Sequence, residues 1–572
     1  MLVNLSLFAL LAATPSEVDG APAISELQAA PAALPILAQQ PNPNDERFLQ
    51  QPEVPTIDDT PVLPEFSPPP VTLPSTGEDV TFTARRIAIE GSTIFAAEDL
   101  QPVVAPLVGR EITLAELQAA ADQITQRYLD AGYLTSRAIV PDQTITDGVV
   151  RLQIIEGRVS QVTVQGAQRL RQAYIRNRVA LGLDTPLRTD RLEDQLRLLR
   201  ADPLIESISA SLQAGDGLGE SLLVVAVAEA DPWTGEVRVD NYSPPSVGSE
   251  RLGAELAHRN LTGLGDSLSV SVDRTAQGGS TLVEAGYRVP LNPMNGTLQV
   301  RTLINRNQVI LSPFDDFDIE GESELYEISF RQPLVRSPRE EFALSLGFSY
   351  RDGQTLINQV PVGALFDPDV TSRTSVFRFG QDYVARDRQG AWALRSQFSL
   401  GTGLLNATVE NDGPDSRFLS WLGQAQRAQR LGPNQVLVAQ LDLQLTPDSL
   451  LSSEDFVIGG GRSLRGFRQN ARAGDNGVRF SLEDRITLAR DESGTAKFQL
   501  MPFADLGAVW NNRDSADLPN QTFLAGVGVG ALWEMLPDLT LRVDLAVPLI
   551  DLEDRGENAQ DEGIYFSINY RL

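Results

Sequence analysis

From about residue 231 to Leu572 the chain reads as short stretches in which every second residue is apolar, separated by turns rich in Gly, Asp, Asn and Pro. The clearest stretch sets Leu541, Val543, Leu545, Val547 and Leu549 against Thr540, Arg542, Asp544 and Ala546. The C-terminal stretch sets Ile564, Phe566, Ile568, Tyr570 and Leu572 against Ser567, Asn569 and Arg571. A period of two belongs to a strand whose two faces meet different surroundings. A soluble β-sandwich alternates in the same way, so number and length must decide. The region holds about sixteen such segments of roughly ten or more residues, an even count that suits a closed transmembrane barrel of antiparallel strands. Charge placement agrees. Arg542 and Asp544 share a face, as do Asn569 and Arg571. A charge facing lipid at midplane costs on the order of 2–4 kcal/mol, so these faces are predicted to line a watery lumen.

Composition removes the competing classes. No run approaches the roughly 18 apolar residues of a membrane helix, and the mean hydropathy of −0.14 is what an alternating barrel produces. Cysteine is absent, which excludes thiolate metal sites, thiol nucleophiles and disulfides together. His258 is the only histidine, and in the stretch Leu256–Asn260 it reads as an ordinary strand residue. With no catalytic constellation the chain is predicted not to be an enzyme, and to need no cofactor or metal. A formal charge of −29, from 47 basic and 76 acidic residues, argues against nucleic acid as a partner. Basic charge is carried almost wholly by arginine, with Lys497 the only lysine.

The length of 572 residues suggests about three or four domains. Residues 1–40 contain two short apolar runs, Leu5–Ala13 and Ala29–Ala38, and are expected to hold an export signal, although no basic residue precedes the first. Residues 41–79 form a Pro-rich linker, with a possible short helix at Asp45–Gln51. Residues 80–157 read as a small α+β module of order β-α-α-β-β. Thr113 and Glu116 form a capping box, and Leu114, Leu117, Ala121, Ile124 and Tyr128 fall on one helix face. Residues 158–230 repeat that order. Thr189 and Asp190 are placed to cap a helix bearing Leu192, Leu196 and Leu199, and Gly215, Gly217 and Gly219 make a hairpin. Arg169, Arg171, Arg176 and Arg178 are either a basic surface for acidic partners or a solvated helix face.

Between the eleventh and twelfth predicted strands lies a long loop, 447–477, containing Ile458-Gly-Gly-Gly461-Arg-Ser-Leu464-Arg465-Gly466-Phe467. The glycine triplet is not a phosphate cradle, because no Gly-Lys-Ser/Thr follows and no helix opens there; no nucleotide is expected. Farther on, Phe498, Leu500, Ala504, Leu506, Ala508 and Trp510 form an apolar face, so Phe503, Asp505 and Gly507 must point inward. The next strand carries Gly526, Gly528 and Gly530 on one face, a strip without side chains against which a loop can lie.

Several of these residues resemble a known family. Tyr128, Gly132-Tyr133, Val140-Pro141-Asp-Gln143, Gly148 and Glu156-Gly157 resemble the first polypeptide-transport-associated (POTRA) domain of two-partner secretion transporters, the haemolysin secretion/activation type, and 158–230 resembles the second. Leu464-Arg465-Gly466-Phe467 resembles the Val-Arg-Gly-Tyr/Phe tetrad of their long external loop, with Leu in place of Val. Phe503-Ala-Asp505-Leu-Gly507 resembles their Phe-x-Asp-x-Gly motif. The resemblance covers about residues 80–572, and the Pro-rich leader looks most like that of cyanobacterial members. It implies that the loop folds back into the lumen and that Arg465 pairs with Asp505. It further implies an outer-membrane barrel, 231–572, with POTRA domains in the periplasm, embedded in lipid and secreting an unfolded exoprotein. An assembly factor that inserts other barrels, or a diffusion porin, would share the barrel. The first usually carries three or more POTRA modules, and the second explains neither the modules nor the paired motifs.

Overall fold

The structure is a computed structural model that describes residues 61–63, 81–312, 314–357, 360–361, 372–410, 413–513 and 521–572. The expected export signal, most of the Pro-rich linker and the Asp45–Gln51 stretch lie outside the described residues. The chain divides into two compact units, one running to Asp231 and one from Pro232, with the Thr262–Gly265 turn grouped with the first.

The first unit contains two modules. In chain order the first has β1 (Thr81–Thr83), β2 (Arg86–Glu90), α1 (Ala97–Val104), β3 (Glu111–Thr113), α2 (Leu114–Asp130), β4 (Arg137–Ile139) and β5 (Val149–Ile155). The second has β6 (Arg158–Gln165), α3 (Gln172–Ala180), α4 (Thr189–Arg200), β7 (Ile205–Ala214) and β8 (Glu220–Glu229). Their sheets have one topology: β2 and β6 lie parallel to β5 and β8, and β4 and β7 flank those strands antiparallel. Two helices make each crossover, as parallel pairing demands. In the first module β1 and β3 form a separate ribbon.

Helix α2 begins at the capping box: the Glu116 amide donates to the Thr113 hydroxyl at 3.1 Å and the Thr113 amide donates to the Glu116 carboxylate at 2.9 Å. Its buried stripe is Leu117, Ala120, Ala121, Ile124 and Tyr128, whereas Leu114, the first helical residue, is exposed. Helix α4 differs from expectation at its start. Arg188 occupies the N-cap without a side-chain cap bond, and Thr189 is already helical. Asp190 instead receives the Arg188 guanidinium and the Arg191 amide. Arg178 is not part of a solvated basic face. It is buried, its guanidinium 3.4 Å from the centre of the Tyr174 ring, and Arg169 is paired with Glu229. The modules are stitched by backbone bonds, Leu187 N–H to Gly157 at 2.8 Å and Thr189 N–H to Gly132 at 3.1 Å.

Tyr128 and Glu156 lock the first module. The Tyr128 hydroxyl donates to the Glu156 carboxylate at 2.8 Å, and the same carboxylate accepts from the Thr93 amide, the Thr93 hydroxyl and the Ile94 amide. Burial pushes the Glu156 pKa up, but the bonds from Thr93 and Tyr128 outweigh it and hold the carboxyl below its ordinary value.

The second unit is a barrel. Its strands are β9 (Trp233–Asp240), β10 (Arg251–Arg259), β11 (Ser267–Thr275), β12 (Ser280–Pro290), β13 (Thr297–Gln308), β14 (Ile319–Arg336), β15 (Glu340–Ile357), the short β16 (Val360–Pro361), β17 (Ser372–Asp387), β18 (Gly390–Thr402), β19 (Leu419–Gly432) and β20 (Gln435–Leu445). There follow β21 (Phe456–Ile458), β22 (Arg472–Gly474), β23 (Asn476–Arg490), β24 (Ala496–Trp510), β25 (Phe523–Leu536), β26 (Leu539–Pro548) and β27 (Ile564–Arg571). Leaving out β16 and the separate β21–β22 ribbon, sixteen antiparallel strands close by pairing β27 with β9, from Ser567 opposite Asp240 to Arg571 opposite Glu236. Connections at one end are tight, as at 388–389, 433–434 and 537–538, and at the other end long, as at 446–475 and 549–563. That asymmetry is usual for outer-membrane barrels.

The barrel is inside-out relative to a soluble domain. Leu545 and Val547 are 51% and 63% exposed, while Asp544 and Ala546, which alternate with them, are buried. Exposed aromatic residues mark both rims: Trp233, Trp392, Trp533 and Tyr570 near the tight-turn end, Trp510 and Phe523 near the long-loop end. His258 is a residue of β10, its ring edge-on to Trp233.

An arginine on the lipid face has nowhere to place its charge. Leu545→Arg should destabilise the barrel by about 2–4 kcal/mol in lipid vesicles, read from its unfolding midpoint in denaturant. In the modules, a group with a depressed native pKa stabilises above its unfolded pKa and loses that contribution as pH falls through the native value. The first module should therefore lose stability as pH falls below the ordinary carboxylate pKa, and Glu156→Gln should flatten that dependence in thermal melts.

Candidate functional site in the barrel lumen

The loop 446–475 between β20 and β23 is pinched by β21 and β22, which pair Phe456 with Gly474 and Ile458 with Arg472. Its tip is apolar on one side. Leu464 and Phe467 pack with Phe456 and Ile458 against Leu422, Val509 and Leu524 of the barrel strands. A loop at the rim of a barrel normally meets water; this one turns inward because its apolar residues find the wall.

Arg465 is 5% exposed and fully engaged. Its Nε donates to Asp505 Oδ2 at 2.7 Å, its Nη2 to Asp505 Oδ1 at 2.9 Å, and its own backbone N–H to Asp505 at 3.1 Å. Nη1 donates to Glu483 at 2.8 Å, and the guanidinium lies 3.3 Å from the centre of the Phe503 ring. Asp505 also accepts from Ser481, while Glu483 is bridged to Arg485 and Arg542, and Arg542 to Asp544. Arg465 Nη1 is also 3.8 Å from Asp544. Three guanidinium groups thus face three carboxylates. The fork of arginine matches two carboxylate oxygens at once, which a lysine cannot do.

The wall is shaped for this contact. Asp505 lies opposite Gly526 in the β24–β25 register, and Phe503 opposite Gly528. A side chain at Gly526 would overlap the Arg465 carbonyl oxygen, and one at Gly528 would overlap the Phe503 ring. Gly507 lies beside Leu464, whose Cδ1 would sit 3.1 Å from an added Cβ. Gly466 has φ +103, a conformation open to glycine, and its N–H donates to the Tyr565 hydroxyl at 2.8 Å. That hydroxyl in turn donates to the Phe467 carbonyl at 2.6 Å.

The structure therefore brings Leu464, Arg465, Gly466 and Phe467 onto Phe503, Asp505 and Gly507. It adds partners that motif reading missed. Glu483, Ser481 and Tyr565 had only an inward strand phase to signal them, and Arg542 and Asp544 were legible only as lumen-facing. A second tier lies above the tetrad. Arg468 pairs with Asp561 and Arg472 with Asp554, both at 2.8 Å, and the Gln469 amide donates to Gln560, so loop 549–563 clasps loop 446–475. Glu454 is held by Arg378 of β17 at 2.9 Å. The site is a set of opposed charges centred on Arg465. It is a charge-balanced lock between a loop and a wall.

Comparison with known proteins identifies that architecture. A family model described as haemolysin secretion/activation protein ShlB/FhaC/HecB matches residues 219–532, more than half of the chain. The chain belongs to this family. A second model, a POTRA domain of ShlB type, matches residues 82–157. Relatives include the outer membrane transporter CdiB of Escherichia coli O6:K15:H31 (strain 536 / UPEC), 25% identical over 72% of this chain and 70% of that protein. The heme/hemopexin transporter protein HuxB of Haemophilus influenzae (strain 86-028NP) is 24% identical over 81% of this chain and 82% of its own. The solved structure of CdiB from Escherichia coli superposes with a TM-score of 0.67 at 21% identity, covering 90% of this chain and 94% of that one. BamA from Haemophilus ducreyi lacking POTRA domains 1–3 reaches 0.52 at 16% identity, over 86% and 100% of the two chains, a likeness of fold. This is a transporter family, and the chain is an outer-membrane transporter of the two-partner secretion type, its POTRA domains periplasmic.

The glycine strip yields a test independent of charge. Gly526→Val leaves Arg465 and Asp505 intact but removes the space for the loop backbone. It should expose the loop tip to external protease as strongly as Arg465→Ala does, with barrel assembly preserved.

Proposed function

We propose that the POTRA modules receive an unfolded exoprotein in the periplasm and that the barrel passes it outward once loop 446–475 leaves the lumen. The observation that carries this reading is the lock itself, a buried arginine on a loop held by side chains of the barrel wall. Removing one partner strands a charge in the lumen, about 3–5 kcal/mol where water is excluded. An intact lock is therefore strong enough to hold the loop at rest and has alternatives once water or cargo enters.

Capture by addition of an extended segment to a sheet edge suits the modules. Among the described residues the ten-residue β7 pairs on one side only, with β8. Transport needs no nucleotide in this scheme, since folding of the exoprotein outside draws it forward. The assembly-factor alternative has the fold likeness to BamA in its favour, but its relatives usually carry more modules than the two among the described residues.

The test is a double-mutant cycle on secretion at equal barrel abundance. Arg465→Ala and Asp505→Ala should each insert normally and cut secretion severely, and the double variant should be little worse than either, because the pair acts as a unit. Normal secretion by Arg465→Ala, or losses that simply multiply, would remove the functional meaning of the lock.

A further inference from the structure

The residues that follow Arg465 are met, in order, by a stretch of chain running the opposite way. The Gly466 N–H donates to the Tyr565 hydroxyl at 2.8 Å, and that hydroxyl donates to the Phe467 carbonyl at 2.6 Å. Arg468 pairs with Asp561 at 2.8 Å, and the Gln469 N–H donates to Gln560 Oε1 at 2.7 Å. Apart from Arg468, the loop is held here by its backbone. Gly461 comes equally close: a Cβ there would lie 2.4 Å from the Tyr242 ring and 3.0 Å from the Tyr565 ring.

The opposing stretch is itself fixed. Gln560 and Tyr565 are fully buried. The Gln560 side-chain nitrogen donates to the carbonyls of Asn241 at 2.5 Å and Ser243 at 2.7 Å, just past the end of β9. The backbone amides of Gln560 and Asp561 donate to Asn558 Oδ1 at 2.7 and 3.2 Å. The Tyr565 ring belongs to one apolar cluster with Phe503, the ring over which the Arg465 guanidinium lies.

A forked ion pair is demanding in placement. The guanidinium is planar, and both of its prongs meet Asp505 in one orientation only. A hydroxyl and an amide bonded to backbone carry no net charge, but their bonds weaken steeply when misaligned. They therefore fix where the loop backbone lies, while the charges supply the attraction.

We propose that Tyr565 and Gln560 are positioning residues for the lock: they seat the loop backbone in one register, so that the Arg465 fork meets Asp505 whenever the loop lies in the lumen. The proposal rests on the reading that loop 446–475 leaves the lumen and returns. A loop that came back displaced would bring the same charges together without the two-pronged contact.

The test uses the purified full-length protein in detergent and a thiol reporter on the loop. Ser463 is 6% exposed and its Oγ has no hydrogen-bond partner among the described residues, so Ser463→Cys breaks no bond of that atom. The sequence has no cysteine of its own, and maleimide labelling of this thiol reads release of the loop tip. Variants are compared at equal amounts of heat-modifiable barrel. Tyr565→Phe removes one oxygen and leaves two buried backbone groups unpaired, and it should speed labelling about tenfold. Gln560→Met, close in shape, should act in the same direction. Arg465→Lys keeps the charge on a flexible stem but has no fork to align. In that background Tyr565→Phe should speed labelling only about threefold or less, the shortfall being its coupling to the fork. An equal acceleration in both backgrounds would make the two residues a plain tether and overturn the proposal. Unchanged labelling in Tyr565→Phe and Gln560→Met would overturn it as well. Neither result touches the secretion reading, which is scored by exported protein and not by a thiol on the resting barrel.

Discussion

Hydrocarbon offers no hydrogen-bond partner, so a backbone that crosses it must satisfy every N–H and C=O internally. A sheet does this only by closing on itself, and the β27–β9 pairing is where this chain does so. The rest follows from that closure. Once the sheet is a ring, alternate residues face lipid or lumen with no third choice, and polar groups have only the inside. Leu545 and Val547 look out while Asp544 looks in. The lumen is lined with Arg542, Asp544, Glu483 and Asp505 as a consequence of the lipid outside, and these groups make it able to hold a charged loop.

Loop 446–475 uses that interior in two ways. Its apolar residues cover the few apolar patches of the inner wall, and Arg465 completes a set of charges that would otherwise be unbalanced. The contact is specific because it is both ionic and steric. Asp505 and Glu483 orient the guanidinium, and Gly526 lets the backbone of the loop touch the strand. Buried ion pairs are weak sources of net stability, which suits the opening proposed for this lock. The apolar contacts hold the loop where no charge is involved, and the clasp from loop 549–563 adds two further ion pairs.

The modules obey ordinary rules of soluble folding. One plan is used twice, with apolar helix stripes laid on a three-stranded sheet, and capping and carboxylate bonds fix the ends. Among the described residues β7 keeps one edge unpaired, and Glu193 takes the backbone amides of Val62 and Leu63.

Periodicity makes much of this legible in the amino-acid sequence. A residue's face in a strand depends only on its neighbours two places away, so the inward phase of Asp505 and the bare strip at Gly526, Gly528 and Gly530 are local properties of the chain. The same holds for the capping box at Thr113 and for the inward grouping of Arg542 and Asp544. Helix ends are less legible: Arg188 is an N-cap without a side-chain cap bond, so the local capping signal at Thr189 and Asp190 marks the wrong residue. Partnerships beyond the two motifs are not legible at all. Nothing near Glu483 says that it shares Arg465 with Asp505, and Tyr565 meets Gly466 across 99 residues of chain. Val62 and Leu63 have the composition of a linker and the burial of a core. Phase is set by the covalent chain and its alternation, whereas contact is set by closure of the ring and packing of the modules, which bring together residues that no local pattern relates.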